Sequence, residues 1–278
     1  MPPRKLPFPP MEAELVDELP TGDWQYEPKW DGFRGILENI GGGLRLWSRN
    51  GRPLLRYFPE LEETGALLPE ESALDGEIII AKKGRLEFDL LQLRLHPAES
   101  RIRKLSREIP AEFVAFDILL WKGEQLHKLP LKKRRRELER KAKRFRLSPA
   151  ERDSKQAERW LDRLDQAGLD GVVAKRLESP YLPGSRDGVV KVKPYRTADC
   201  VIVGFRWSEK ADARISTLLL GLYGDDGELD FVGHCSGFPA PVRRRLEEEL
   251  PKLKAPGHLS DKRIPGGQSR WSRGKELD

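Results

Sequence analysis

The pattern of hydrophobic and polar residues predicts a chain that mixes short strands with helices. Short apolar runs flank glycine-containing turns, which predicts hairpins over residues 33–49 and 78–90. A nearly continuous apolar run over residues 113–120 predicts a buried strand. Periodicity further predicts helices over residues 57–68, 131–147 and 148–167, and strands over residues 172–175 and 189–193.

After Pro194 the chain changes to short apolar runs separated by turn residues, which fits a small β-barrel. A chain of 278 residues can hold two domains with cores of their own. We therefore predict an α+β protein with an extended lead-in over residues 1–20, a main domain over 21–195 and a second domain over 196–278. In the second domain, strands are predicted over residues 200–207, 217–223 and 228–235, and a helix over 242–250.

The excess positive charge is concentrated in one predicted helix. The net charge is +6, and residues 131–147 alone contain ten basic and two acidic side chains. A helix of this kind can neutralise phosphates, each contact adding a salt-dependent contribution to affinity. Arg134, Arg135 and Arg136 are therefore candidate DNA-binding residues. The alternative interpretation is a basic helix face that is simply solvated.

Cysteine usage and hydropathy argue against an exported or membrane protein. Cys200 and Cys235 cannot build a disulfide framework, and no C-x-x-C pair suggests a zinc site. The N-terminus lacks the apolar core of a signal peptide, and no apolar run approaches bilayer length. We expect a protein of the cytoplasm with no membrane partner.

Lys29 lies in a short motif, Lys29-Trp30-Asp31-Gly32. A lysine can act as a nucleophile if its amine is neutral, which burial or neighbouring cations favour. The motif alone is common, since Asp-Gly is a general turn signal. Five further segments follow it in order: Ser48-Arg49-Asn50-Gly51, Asp75-Gly76-Glu77-Ile78-Ile79-Ile80, Phe113-Val114-Ala115-Phe116-Asp117-Ile118-Leu119, Asp170-Gly171-Val172-Val173-Ala174-Lys175 and Lys191-Val192-Lys193.

In this order the segments resemble the adenylating core of ATP-dependent DNA ligases. The chain is most similar to the short bacterial ligases related to the ligase module of end-joining repair. The resemblance implies a nucleotidyltransferase (adenylation) domain of antiparallel sheets and helices, followed by a small, incomplete OB-fold barrel. It also implies sealing of 5′-phosphate/3′-hydroxyl breaks in duplex DNA through lysyl–AMP and DNA–adenylate intermediates, in DNA repair or recombination. The implied partners are nicked or broken duplex DNA and a Ku-like end-binding protein, with the ligase a monomer of the bacterial cytoplasm and nucleoid.

The resemblance also assigns roles around ATP. Lys29 would attack the α-phosphate, and Lys191 and Lys193, on one face of a strand, would stabilise the developing charge. The remaining ATP-binding residues would be Glu27 at the adenine amino group, Arg34 and Glu77 at the ribose, Arg49 near the sugar or the nick 5′-phosphate, and Phe116 stacked on the purine.

Two carboxylates, Glu77 and Asp170, are the metal-ligand candidates for Mg²⁺ or Mn²⁺. The family more often has Glu at the position of Asp170, and Asp is one methylene shorter. Mg²⁺ prefers one or two carboxylates together with phosphates and waters, so an aspartate ligand remains reasonable.

The C-terminal residues depart from the family pattern. Relatives continue past a segment like Gln268–Lys275 to an Arg/Asp/Lys motif that grips pyrophosphate, and Asp261-Lys262-Arg263 is a poor substitute for it. We expect either a fragment or a ligase that charges itself slowly with AMP, with an exposed sheet edge in its barrel.

Other functions share parts of this pattern. NAD-dependent ligases carry a sizeable domain before the lysine motif, but only 28 residues precede Lys29 here, which favours ATP. An RNA ligase and a non-catalytic DNA-end binder derived from a ligase remain the alternatives.

Overall fold

The computed structural model describes residues 9–194, 197–208 and 214–253. The chain divides into two compact units, Met1–Tyr195 and Arg196–Asp278. The C-terminal segments quoted above, from residue 261 onwards, lie outside the described residues. In the part that is described, no helix combines the length and the apolar character needed to cross a membrane.

The first unit consists of strands and short helices, with strands near both its beginning and its end. Its strands are β1 (Glu14–Leu15), β2 (Trp24–Lys29), β3 (Phe33–Ile40), β4 (Gly43–Ser48), β5 (Ser72–Ile79), β6 (Ala81–Lys82), β7 (Arg85–Leu86), β8 (Glu112–Leu120), β9 (Arg146–Leu147), β10 (Gly171–Arg176) and β11 (Val189–Val192). Its α-helices are α1 (Leu61–Gly65), α2 (Phe88–Leu93), α3 (Glu99–Glu108), α4 (Leu131–Lys141), α5 (Ser154–Leu161) and α6 (Leu164–Ala167). Single 3₁₀ turns span Leu55–Tyr57 and Leu126–Lys128.

Two sheets organise this unit. Sheet A has the order β1-β11-β10-β2, and sheet B the order β4-β3-β5-β8-β9. All neighbours are antiparallel except β1 with β11 and β8 with β9. The largest core cluster lies against sheet B and includes Phe58, Leu91, Phe113 and Leu138. Helix α5 covers one face of sheet A, where Ala157 packs with Tyr26 and the strand residues beside it.

Several predicted elements have different bounds in the structure. The helix predicted over 131–147 ends at Lys141, and the chain then turns to pair β9 with β8. The helix predicted over 148–167 begins only at Ser154, where Asp153 caps it, and it is split before α6. The second hairpin is reduced to β6 and β7, and a helix starts at Phe88. Helix α3 was not predicted.

The expected lead-in is partly built into the first unit. Glu14–Leu15 forms β1, which pairs in parallel with β11, and Met11 is buried in a core cluster. Asp75-Gly76 forms no turn, although Asp-Gly is a general turn signal, and lies inside β5, where Asp75 is fully buried. A Cβ at Gly76 would lie 2.5 Å from the Val114 carbonyl oxygen, so glycine permits the close approach of β8.

The prediction that the basic helix presents three arginines to DNA is wrong for Arg134, which is buried. Its side chain is 3% exposed and pairs with Asp117, Nε donating to Oδ1 at 2.8 Å and Nη2 to Oδ2 at 2.9 Å. Its Nη1 donates to the carbonyls of Leu129 and Ser179. Arg135 donates to Glu139, whereas Arg136 is exposed. Arg134 therefore joins α4 to sheet B and to the loop after β10.

We expect Arg134→Met to lower the free energy of unfolding by about 3–5 kcal/mol, because it leaves the buried Asp117 carboxylate unpaired. Burial would raise the pKa of Asp117, but Arg134 outweighs this effect and holds the pKa below its usual value. The stabilisation is therefore present above the pKa of the unfolded state and is lost as pH falls through the folded-state pKa. Denaturant unfolding at neutral and acidic pH measures both effects.

The exposed pair of Arg103 and Glu99 on α3 provides the control for this measurement. Arg103→Met should change the free energy of unfolding by about 0.5 kcal/mol or less, because exposed pairs contribute little. Equal costs for the two substitutions would contradict the structural role of Arg134.

The second unit has a three-stranded antiparallel sheet of β12 (Val201–Trp207), β13 (Ile215–Tyr223) and β14 (Leu229–Ser236). Helix α7 (Ala240–Glu249) and a 3₁₀ turn (Leu250–Leu253) follow. Phe205, Ile215 and Leu218 form the core cluster, against which Leu246 of α7 packs. Over residues 197–208 and 214–253 these strands do not close into a barrel.

Candidate active site

One face of sheet A carries the lysine and carboxylate side chains singled out in the sequence. Cross-strand partners share a face, and so do alternate residues of one strand. Glu27, Val173 and Lys191 form one such row across β2, β10 and β11. In the adjacent row on the same face, Lys29 is paired with Gly171.

Gly171 lets charged side chains meet over the sheet. It has φ +146°, and a Cβ there would lie 2.2 Å from the Val192 carbonyl oxygen and 3.0 Å from the Lys193 Cβ. A larger residue would be strained and would fill the space next to Lys193. Gly171, the first residue of β10, is thus needed for close packing beside Lys29.

Asp170 brings two lysines together. Its Oδ2 lies 2.5 Å from the Lys29 Nζ, and its Oδ1 lies 3.5 Å from the Lys193 Nζ. The three side chains are between a quarter and a half exposed. Lys29, the last residue of β2, is therefore accessible from solvent, yet its side chain is held by Asp170 just before the start of β10.

The surrounding charges are strongly coupled. Burial lowers the pKa of Lys191, and the positive charges of Lys29 and Lys193 lower it further. Burial raises the pKa of Asp31, and the Asp170 carboxylate raises it further. Burial also raises the pKa of Glu77 to about 8, against the opposing charges of Arg34 and Lys29. Groups with shifted pKa values that surround one lysine are typical of catalytic sites.

Glu27 is held at the bottom of this surface, where it is 2% exposed. The Gln25 Nε2 donates to its Oε1 at 2.8 Å, and the Lys175 Nζ lies 2.7 Å from the same oxygen. The Lys175 Nζ also lies 4.5 Å from the centroid of the Phe116 ring. Phe116, on sheet B, is partly exposed, whereas the residues on either side of it are buried. Glu27 and Phe116 are thus connected through Lys175.

Arg34 lies beside Phe116, with its guanidinium carbon 4.8 Å from the ring centroid. Its Nε and Nη2 donate to the Asp75 carboxylate at 2.7 and 2.6 Å, and Nη2 also donates to the Met11 carbonyl. Burial would lower the pKa of Arg34, but Asp75 more than compensates and the pKa is raised. Glu77 is the cross-strand partner of Arg34. Arg49 is exposed in the turn after β4.

Four residues near the site were not assigned a role from the sequence: Trp30, Asp75, Lys175 and Tyr181. Trp30 donates through Nε1 to the buried Ser148 Oγ at 3.0 Å, which ties the residue after Lys29 to the chain that follows β9. Asp75 and Lys175 were visible within the quoted segments, but only as turn and strand residues. Tyr181 lies in a loop that carries no periodic signal.

The donor chemistry fits a divalent ion of the hard, oxygen-binding type. Among the described residues, no group of three or more His, Cys, Asp or Glu side chains gathers as a dedicated metal cage. Asp170 and Glu77 both lie close enough to Lys29 to interact with its charge. Two carboxylates completed by phosphates and waters are what Mg²⁺ commonly uses.

Comparison with known proteins decides the family. A family model described as the ATP dependent DNA ligase domain matches residues 10–193. The chain belongs to the ATP-dependent DNA ligase family. The ligase is 42% identical to DNA ligase C2 of Mycolicibacterium smegmatis over 289 residues, which cover 98% of this chain and 81% of the relative. It is 42% identical to DNA ligase C of Mycobacterium tuberculosis over 291 residues, with the same coverage.

More distant relatives agree with this assignment. The ligase is 33% identical to the multifunctional non-homologous end joining protein LigD of Pseudomonas aeruginosa, covering 98% of this chain and 33% of that protein. A solved structure of mycobacterial DNA ligase D complexed with ATP and MES matches with a TM-score of 0.51 at 28% identity, covering 91% of this chain and 82% of that one. The predictions of a DNA ligase and of ATP as its cofactor are confirmed.

Proposed function

We propose that the ligase seals 5′-phosphate/3′-hydroxyl breaks in duplex DNA with Lys29 as the nucleophile that carries AMP. The observation that carries this proposal is the meeting of Lys29, Asp170 and Lys193 over Gly171. In the first step, the neutral Lys29 amine attacks the α-phosphorus of ATP, a nitrogen–phosphorus bond forms and pyrophosphate leaves. A 5′-phosphate oxygen then takes the AMP from Lys29. Finally the 3′-hydroxyl attacks that phosphate and AMP leaves.

Lys191 and Lys193 would stabilise the charge that develops on the α-phosphate. Both are held by sheet A close to Lys29, and preorganised cations lower the barrier without reorganising during the reaction. Asp170 would keep the Lys29 and Lys193 side chains near each other before nucleotide binds.

The purine would bind between the two sheets. Phe116 offers an aromatic face from sheet B, and Val173 offers an apolar side chain in the row between Glu27 and Lys191. Gln25 and Lys175 both contact Oε1 of Glu27, so we assign its Oε2 to the adenine amino group. Arg34 and Glu77 would hold the ribose, and the exposed Arg49 the sugar or the nick 5′-phosphate.

Glu77 and Asp170 would hold a divalent ion, Mg²⁺ or Mn²⁺. When bound, such an ion supplies positive charge to phosphate oxygens. Burial raises the pKa of Glu77 to about 8. Its ionised form, which a cation would require, becomes more populated as pH rises through that value.

We also propose that DNA contacts the exposed cations of α4 and the chain just after it: Lys133, Arg136, Lys143 and Arg144. A bacterial cytoplasmic location, a monomeric state and recruitment by a Ku-like end-binding protein belong to the same proposal. The Ku-like partner is supported by the similarity to a protein whose name includes end joining.

Replacing Lys133 and Arg136 with Gln should weaken binding to nicked duplex equally for all sequences. Each lost phosphate contact should reduce the slope of log affinity against log salt by about 0.9. The control is the charge-matched pair Arg152→Gln and Lys155→Gln, which lies near α5 on the opposite face of sheet A from Lys29. Slopes measured by fluorescence anisotropy at several salt concentrations should fall only for the α4 pair. If the slope for the α4 variant equals that of the unaltered ligase, the α4 face is solvated and does not contact DNA.

The decisive experiment is incubation with α-labelled ATP and Mg²⁺, followed by denaturing electrophoresis. Label that remains on the protein supports the lysyl–AMP step, and its transfer to a nicked duplex supports the later steps. A protein that binds nicked DNA but takes up no label would instead be a non-catalytic end binder.

A further inference from the structure

Tyr181 lies in the loop between β10 and β11 and is 3% exposed. Its hydroxyl donates to the Asp75 Oδ2 at 2.6 Å and accepts from the Met11 backbone N–H at 3.0 Å. The directions of these bonds are fixed, because a carboxylate only accepts and a backbone N–H only donates. Burial raises the pKa of Tyr181 well above its usual value, so the hydroxyl keeps the proton that it donates.

Asp75 and Met11, to which the Tyr181 hydroxyl bonds, also bond to Arg34. The Arg34 Nη2 donates to the same Asp75 Oδ2 at 2.6 Å and to the Met11 carbonyl at 3.1 Å. A single hydroxyl thus bonds directly to one acceptor of the guanidinium, the Asp75 Oδ2, and to the backbone N–H of Met11, the residue whose carbonyl is the other acceptor. Its removal would take one hydrogen bond from the Met11 backbone N–H and one from the Asp75 Oδ2.

This pairing leaves one end of the guanidinium available. Nε and Nη2 are used by Asp75 and Met11, whereas Nη1 donates to no acceptor among the described residues. The Arg34 side chain is 25% exposed and lies against Phe116. Nη1 is therefore the donor that a ligand lying beside Phe116 can reach.

We infer that Tyr181 is a positioning residue for nucleotide recognition, which acts by fixing Arg34 through Asp75 and Met11. The inference rests on the proposed contact of Arg34 with the ribose of ATP. Because this contact forms when ATP binds and persists during the reaction, its loss weakens binding more than it slows the chemical step.

Tyr181→Phe removes only the hydroxyl and should raise the KM for ATP in self-adenylation about tenfold, with kcat changed by less than about threefold. The matched control is Tyr26→Phe. Tyr26 is 1% exposed, and its hydroxyl donates to the Pro20 carbonyl at 2.7 Å on the α5 side of sheet A. This control should lower the unfolding temperature by a similar amount and leave the KM for ATP unchanged.

A double-mutant cycle with Arg34→Lys separates positioning from general stabilisation. Lysine keeps a cation beside the buried Asp75 carboxylate but removes the fork that carries Nη1. In the Arg34→Lys background, Tyr181→Phe should change the KM for ATP by less than about twofold, because the group that it positions is gone. An equal effect in both backgrounds, or an unchanged KM in a folded Tyr181→Phe protein, would overturn the inference.

Failure of the proposed function gives different results. If Arg34→Lys alone leaves the KM for ATP unchanged, the ribose role of Arg34 is wrong. If Tyr181→Phe nevertheless raises that KM, Tyr181 does not act through Arg34, and the positioning role is overturned as well. If the unaltered ligase takes up no label, the lysyl–AMP proposal fails. The same double-mutant cycle can then be measured by calorimetry as affinity for ATP. Tyr181→Phe should weaken ATP binding in the unaltered background and change it little in the Arg34→Lys background.

Discussion

Replacing Lys29 with arginine is expected to abolish covalent attachment of AMP to the ligase. Arginine keeps a positive charge beside Asp170, so the fold and the ion pair persist, but a guanidinium does not lose its proton and cannot attack phosphorus. Lys29→Ala should give the same result by removing the amine entirely. Both variants should keep the unfolding temperature within a few degrees, because Lys29 is partly exposed.

The measurement is retention of α-labelled AMP on denatured protein, compared with Lys155→Arg on α5 as the control lysine. Nick sealing from ATP should fall with the label, by at least about 10³-fold, the scale set by loss of a catalytic nucleophile. An adduct in either Lys29 variant would show that another residue carries AMP.

Removing either of the paired lysines is expected to slow adenylation of Lys29 by about 10²- to 10³-fold, the range found for the loss of one preorganised charge-stabilising group. The variants are Lys191→Met and Lys193→Met, which keep most of the side-chain volume and remove the charge. The effect should fall mainly on kcat, because charge develops on the α-phosphate in the transition state. Rapid-quench measurement of adduct formation at saturating ATP tests this directly.

The pH dependence adds a second readout for Lys191. Because burial and the neighbouring charges lower its pKa, its contribution should be lost at a lower alkaline pH than that of an ordinary lysine. In Lys193→Met one of the repelling charges is gone, so the residual activity should persist to higher pH. Lys155→Met should change neither the rate nor the profile. An unchanged kcat in both lysine variants would show that other residues stabilise the charge on the α-phosphate.

Sequence patterns predicted β10 and β11 of sheet A with nearly the observed bounds, because their apolar residues recur with clear periods, whereas β1 and β2 were not predicted. The hairpin of β3 and β4 and the buried strand β8 have nearly the predicted bounds. The basic helix was overextended, because the helical spacing of apolar residues continues past the end of α4, where Ala142 and Phe145 stay buried in the core. Arg134 could not be distinguished from its neighbours by composition, since only the tertiary partner Asp117 makes it a buried residue.

The residues that could not be predicted act across long separations in sequence. Met11 and Tyr181 are 170 positions apart and share a hydrogen bond. Their types, an ordinary methionine and a loop tyrosine, carry no local signal of a site. By contrast, the site residues on β10 and β11 could be grouped from the sequence. The Asp-Gly pair marks where β10 begins, and the alternating lysines share one face at the end of β11.

The parallel pairing of β1 with β11 has a consequence for how the first unit acquires its site. Sheet A combines the two earliest strands of the unit with the two latest, so its four strands cannot assemble until Val192 has been synthesised. Sheet B, apart from short β9, uses strands that are complete by Leu120. Contacts between distant segments form slowly because the chain entropy of closing the loop must be overcome first. We therefore expect sheet B to form ahead of sheet A, so that the emerging chain folds much of its core before it gains the ability to bind a nucleotide.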